Sequence, residues 1–248
     1  MSPEPRETIS LFVPCVVDQF RPGVARASAD VLRKLDLGFE TPGPGICCGQ
    51  PAFNQGFREE ARRVARKWIQ HHEAYSAVVA PSGSCVNMVR NHYPALFDKE
   101  PDWRRRALAV AARTYELTEY LVHVAKRLDL GVQCPLRATY HDSCHVTRHL
   151  GVREEPRRLL QHVDGLVLVE MEQSDRCCGF GGLFRWTHAP ISRALSEEKA
   201  RMIEATGVDA VITAETGCLL NIEAALDRIG SRVKAFHVAE VLGGMARA

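Results

Sequence analysis

Nowhere does the sequence carry an apolar run approaching the eighteen or so residues that a membrane span needs. Short runs such as "AVVA" at 77–80 and "DAVITA" at 209–214 have the length of buried strands. Charge of neither sign prevails, with 32 basic against 30 acidic residues. No Lys/Arg stripe is interleaved with aromatics, and the burst Arg104–Arg106 reads as a solvated helix face, so nucleic acid is not an expected partner. A Walker motif, a Ser-His-Asp order and a full dinucleotide fingerprint are all missing, which argues against flavin or nicotinamide on this chain. The opening "MSPEPRETIS" is polar and broken by prolines, unlike a secretory signal. A soluble cytoplasmic protein is the expectation. Cys-x-x-Cys, the usual knuckle of structural zinc, does not occur.

What the sequence has instead is nine cysteines, four of them in adjacent pairs. Neighbouring cysteines make poor disulfide partners, because the small ring strains the peptide between them. A reducing compartment also leaves few thiols paired, so metal ligation or redox chemistry becomes the leading account. At 248 residues the chain needs no disulfide staple for stability.

The cysteines fall into two matching sets. Cys15, Cys47, Cys48 and Cys85 form one; Cys144, Cys177, Cys178 and Cys218 form the other. Corresponding members are offset by 129, 130, 130 and 133 positions, a drift of the size small loop insertions produce. β-rich runs precede the first and last cysteine of each set: "ISLFV" and "AYSAVVAPSGSC", then "RATYHDS" and "VDAVITAETGC". Helical patterns lie between. Ala61, Val64, Ala65 and Trp68 share one face of "REEARRVARKWIQ", and "ISRALSEEKARMIEATG" takes the same place in the second half. Gly38 and Gly207 are the expected C-caps of two helices. Each half closes on a strand-then-helix segment, "ARTYELTEYLVHV" and "RVKAFHVAEVL".

This alternation predicts an α/β fold of two repeated halves, 8–130 and 135–246, with mainly parallel sheets. The joint passes through "DLGVQCPLR", punctuated by Gly131 and Pro135. In open α/β sheets ligands gather at the carboxyl ends of strands, and the reading places the eight cysteines on loops at that edge. Gly49 and Gly179 are expected to let the backbone pass close to a bulky inorganic core. Leu219, Ile222, Leu226 and Ile229 recur at helical spacing after Cys218, which puts that thiol at a helix N-terminus, where thiolate is favoured. A single buried cysteine is ordinarily a small hydrophobe; two matching quartets point to metal. Zinc and iron–sulfur centres both accept four thiolates, and spacing alone separates them weakly. Two closed zinc sites leave the chain no evident chemistry, whereas iron–sulfur clusters supply one-electron transfer.

The stretches "CVVDQFRPGV" (15–24), "CCGQPAFNQG" (47–56), "VAPSGSCVNMV" (79–89), "RTYELTEYL" (113–121), "YHDSCH" (140–145), "CCGFGGLF" (177–184) and "GCLLNIE" (217–223) resemble the cysteine-rich CCG domain. That domain occurs twice in one of the chains of heterodisulfide reductase and in related iron–sulfur oxidoreductases. Similarity is greatest to the lactate utilisation protein A branch. The resemblance implies an iron–sulfur electron-transfer subunit of a complex that oxidises L-lactate to pyruvate, partnered by a ferredoxin-like iron–sulfur subunit and a third subunit. It implies that the eight cysteines are the ligands. One departure stands out: the heterodisulfide reductase motif ends in Cys-x-x-Cys, and here Ser82 and Glu215 replace the extra cysteine. Four thiolates per half match a 4Fe-4S cubane, one or two per chain, with zinc the other occupant for one half.

Other residues carry weaker signals. His141, Asp142, His145 and His149 crowd around Cys144, as groups hydrogen-bonded to cluster sulfurs or as loop polarity and capping. Gln50 and Asn54 read as loop caps, the glycines of 179–182 as close packing against a metal, and Glu119 and Glu240 as exposed helical ion pairs. Cys134 stands outside both sets, and no residue is assigned a catalytic role. Two rival functions remain: a zinc-stabilised scaffold without redox work, and a thiol–disulfide oxidoreductase.

Overall fold

The computed structural model describes residues 6–43 and 46–246. Of the stretches read above, residues 1–5 of the opening segment and Pro44 and Gly45 lie outside them. The chain divides into two compact units between Tyr120 and Leu121.

In the first unit the strands β1 (Arg6–Leu11), β2 (Phe39–Glu40), β3 (Tyr75–Ala80) and β4 (Thr114–Glu116) form one sheet in the order β2-β1-β3-β4. The second unit repeats the order with β5 (Gln133–His141), β6 (Asp164–Leu168), β7 (Ala210–Thr213) and β8 (Lys234–His237), as β6-β5-β7-β8. Every pairing is parallel. The predicted α/β architecture of two repeated halves is therefore what the chain adopts. Central strands read as unbroken apolar runs because both faces are covered: Ala77 to Ala80 and Ala210 to Thr213 are all buried.

Helices cover those faces. Arg58–His72 buries Ala61, Ala65 and Trp68 of the predicted stripe together with Ile69, while Val64 is half-buried. Ala189–Glu204 buries Ser192, Ser196, Lys199, Ala200 and Ile203 at the same intervals. The core of the second unit gathers Ile203, Val211, Leu219, Ile222, Ala225 and Leu226.

Three local expectations are corrected or refined. The helix Pro22–Lys34 ends on a left-handed Asp36 (φ 53°), not on Gly38, because the aspartate tolerates that region and the chain turns two residues sooner. Gly207 (φ 63°) does turn the chain after its helix. Pro135 lies inside β5, at the register shift between Gln133 and Leu136, where a missing N–H costs no ladder bond. Among the described residues no helix is long and apolar enough to cross a membrane.

Candidate metal centre

In both units the thiols collect at the carboxyl edge of the sheet. Strand β1 ends at Leu11 and Cys15 opens the helix Cys15–Phe20; β3 ends at Ala80 and Cys85 sits in the helix Gly83–Asn87. In the second unit β5 ends at His141, with Cys144 next to the π-helical turn His145–His149, and β7 leads to Cys218 in the helix Thr216–Arg228. The expectation that all eight lie on loops is therefore wrong for Cys15, Cys85, Cys144 and Cys218. These helices begin within a few residues of their strands and carry the cysteine in the first turn. Cys47–Cys48 and Cys177–Cys178 do come from loops.

The first quartet converges. Cys47 is in hydrogen-bonding contact with Cys15 and Cys48, and Cys48 with Cys85. Contact with Cys47, then burial, pushes the Cys15 thiol far above its usual range, and contact with Cys47 and Cys85, then burial, raises Cys48. Cys47 is held below that range because Cys15, Cys48 and the Gly49 N–H all donate to it. In the second unit Cys177 contacts Cys178, and Cys178 contacts Cys218. Cys177 is raised by contact with Cys178 and by burial. For Cys178 the contact with Cys177 lowers the thiol, but Cys218 and burial outweigh it. Burial, then Cys177 and Glu215, raises Cys144.

The physical meaning is the same in both places. Where one sulfur is stabilised as thiolate by its neighbours, as Cys47 is, the rest are discouraged from ionising, and a bound cation reverses that penalty. No disulfide relieves the crowding, since all nine cysteines are free. Soft thiolate donors are the set that zinc and iron–sulfur centres use, so the residues present fit such a group. Each quartet is also half exposed. Cys48 and Cys85, like Cys178 and Cys218, are buried, whereas Cys15, Cys47, Cys144 and Cys177 reach solvent to different degrees.

The two pairs are held alike. The N–H of Gly49 donates to Cys47 Sγ at 3.3 Å, and that of Gly179 to Cys177 Sγ at 3.3 Å. The Tyr93 hydroxyl donates to the Cys48 carbonyl at 2.8 Å, and the Asn221 amide to the Cys178 carbonyl at 2.7 Å. Gly49 and Gly179 both have positive φ, 83° and 79°. Protein packs against both: a Cβ on Gly179 would meet the Ser192 carbonyl at 2.5 Å, whereas one on Gly49 would sit in ordinary contact with Val64 at 3.4 Å. Within residues 179–182 the Phe180 ring fills the space a Gly217 side chain would need.

The polar residues around Cys144 separate into different roles. Asp142 is a structural ion-pair partner, bidentate to Arg157 at 2.9 and 2.8 Å and accepting from Ser174 Oγ at 2.6 Å. Burial opposes its ionisation, yet Arg157 holds the carboxyl below its usual range. His145 and His149 stack on each other, and His145 Nδ1 lies 3.7 Å from Cys144 Sγ. His141 is different: one of its ring nitrogens and the Sγ atoms of Cys178 and Cys218 all lie within 4.8 Å of one another. Burial, then Lys199, depresses this imidazole to about 3.

Ser82 hydrogen-bonds Ser84, and Glu215 is buried within electrostatic reach of Cys144. Gln50 donates to the Ser84 carbonyl at 3.2 Å. Glu119 and Glu240 are not exposed pairs. Each closes a capping box after the last strand of its sheet, and Glu119 also grips Arg90 at 2.7 Å. Cys134 sits near the opposite end of β5 from His141, about 23 Å along an extended strand, with its thiol against the Ala246 carbonyl. Sequence reading missed Lys199, Tyr93 and Asn221. A signal existed for Lys199, which interrupts the core-facing stripe Ser196, Ala200, Ile203 with a charge.

Comparison with known proteins agrees with this geometry. The CCG cysteine-rich domain matches residues 9–90 and 138–223. Lactate utilization protein A of Bacillus subtilis is 44% identical over 94% of this chain and 98% of its own length, and that of Geobacillus thermodenitrificans is 43% identical with the same coverage. The chain belongs to the lactate utilization protein A family. For fold alone, a hypothetical protein from Helicobacter pylori superposes over the whole chain with a TM-score of 0.61 at 9% identity, and this chain spans 52% of its length. Twin CCG domains and the His141–Cys178–Cys218 cluster together point to metal binding by this family member.

Proposed function

We propose that this chain is the iron–sulfur electron-transfer subunit of an oxidoreductase complex that converts L-lactate to pyruvate, built from two cysteine-rich units, 8–130 and 135–246. The observation that carries the reading is the pair of thiol quartets, each with two buried and two more accessible cysteines at the carboxyl edge of a sheet. Cys15, Cys47, Cys48 and Cys85 are the ligands in the first half, and Cys144, Cys177, Cys178 and Cys218 those in the second. Bound there, a 4Fe-4S cluster supplies one-electron transfer. The lactate assignment rests on the names of the relatives.

The chain's own residues do three things. Gly49 and Gly179 hold a thiolate of each pair through their N–H groups. Tyr93 and Asn221 fix the backbone of the buried cysteine. The accessible cysteines leave an edge at which electrons exchange with a ferredoxin-like partner and a third subunit. L-Lactate gives up two electrons and two protons in becoming pyruvate, so two one-electron transfers leave through the complex per turnover.

A second reading has one observation in its favour. Tetrahedral zinc with nitrogen and sulfur ligands sets its donor atoms roughly 3.5–3.8 Å apart, and the compact His141–Cys178–Cys218 group suits that better than a wide cubane. Anaerobic purification with iron, sulfide and zinc quantitation separates the two. Iron–sulfur protein is brown with broad absorption that dithionite bleaches. A colourless protein holding stoichiometric zinc and no iron ends the electron-transfer reading.

A further inference from the structure

The two halves differ at equivalent positions close to their thiol quartets. Three residues before Cys144 stands His141; three before Cys15 stands Phe12. The helix contacts fix a second correspondence. Leu195 lies against Gly179 as Val64 lies against Gly49, and four residues further along each helix come Lys199 and Trp68. In the first half Phe12 and Trp68 meet edge to face, with ring centroids 5.4 Å apart. In the second half an imidazole and an ammonium occupy those two places.

Both replacements are fully inside the protein. Lys199 has no exposed surface, and its Nζ donates to the carbonyls of Gln173 at 3.0 Å and Ser174 at 3.3 Å. It lies within electrostatic reach of Cys178 and Cys218. His141 is 1% exposed, neither ring nitrogen makes a well-formed hydrogen bond among the described residues, and the Ser174 carbonyl within its reach already accepts from Lys199. A buried imidazole left so is costly unless something beside it accepts its N–H. Beside it lie the pair of thiols and the Ser174 carbonyl that Lys199 already occupies. Of the nearby carboxylates, Asp142 is paired with Arg157 and Asp175 faces Arg148 and Arg153, whereas Glu215 lies buried within electrostatic reach of Cys144. Burial works against the Lys199 ammonium, and Cys178, Asp175, Asp142 and Cys218 favour it.

We propose that Lys199 and His141 are the positioning residues that raise the reduction potential of the second half's centre, a reading that rests on the iron–sulfur assignment. Reduction by one electron adds one negative charge at the thiol quartet. A buried ammonium stabilises that charge strongly because little solvent screens it. An imidazole N–H donated to a cluster or ligand sulfur acts in the same direction. Phe12 and Trp68 offer the first half neither.

The test uses the full chain loaded anaerobically, with a potentiometric titration followed by absorption and electron paramagnetic resonance. The wave lost in Cys178→Ala is the second centre's. Lys199→Met and His141→Phe, which restore first-half chemistry, are expected to lower the reduced-to-oxidised ratio at the wild-type midpoint at least tenfold. That equals a shift of about 59 mV or more for one electron. Lys199→Arg keeps the charge and is expected to stay within threefold of wild type. Loaded Lys199→Met and His141→Phe that both retain the wild-type wave overturn the proposal. So does loss of iron in Lys199→Arg and His141→Gln alike, which makes the pair structural props. A wild-type second half without iron defeats the iron–sulfur assignment itself and this inference with it. That outcome is read from iron content before any titration, so the two failures are told apart.

Discussion

Tyr93 donates its hydroxyl to the carbonyl of Cys48 at 2.8 Å, from a side chain with no exposed surface. The hydroxyl reaches across 45 residues to hold the buried cysteine of the first pair. Tyr93→Phe leaves that carbonyl without its donor and is expected to cost about 1–3 kcal/mol. Calorimetry should show a lower Tm, and a chelator should strip iron from the first half faster than from the second. Asn221→Leu is expected to reverse that order.

Ligand assignment has a sharper test. Cys178→Ala is expected to lose the iron and sulfide of the second half only, whereas Cys134→Ala keeps the full complement. Quantitation on anaerobically purified protein decides it. Bleaching by Cys134→Ala would show that the ligand set is wrong.

Arg157 and Asp142 form a bidentate pair in which the side chains are 12% and 2% exposed. Removing the guanidinium strands a buried carboxylate, so Arg157→Leu is expected to destabilise by about 3–5 kcal/mol. Asp142→Asn keeps a hydrogen-bonding group in place and should cost less. Denaturant midpoints at unchanged slope measure both. Equal costs would place the effect in packing of the long side chain rather than in charge.

His72 gives the first unit an acid limit. It is fully buried beside Phe12 and Trp68, with Nδ1 2.7 Å from Ser10 Oγ, and burial, then His71, depresses it to about 3. The unfolded chain takes up this proton near pH 6.5, whereas the folded one does not. Stability is therefore complete above pH 6.5 and falls as pH drops toward about 3, by about 1.4 kcal/mol per unit from this group. The double variant Ser10→Ala/His72→Leu should flatten that slope in urea titrations between about pH 6.5 and 4. An unchanged slope would place the acid sensitivity elsewhere.

Much of this molecule was legible because its signals are local or repeated. Strands such as "AYSAVVA" combine β-branched residues with an apolar run, and "REEARRVARKWIQ" carries a helical stripe, so both elements follow from pattern alone. Repetition of the cysteines made the two halves visible. Pro135 and Gly38 misled, because whether a proline sits at a bulge or a glycine caps a helix depends on the neighbouring strand and turn. Loops were expected for Cys15, Cys85, Cys144 and Cys218 because nothing in the sequence marks how soon a helix follows its strand.

The order of residues by itself determined the α/β class, the twofold repeat and the grouping of eight thiols into two sets, since each follows from periodicity along the chain. Only the tertiary structure decided what stands behind those thiols. His141 reaches Cys178 and Cys218 from the end of one strand, and Lys199 arrives from a helix more than fifty residues later. Spacing along the chain carries no trace of such a meeting. It exists because parallel strands bring their carboxyl ends to one edge, and the helix packed on them sets a charged side chain where its counterpart in the other half sets an indole.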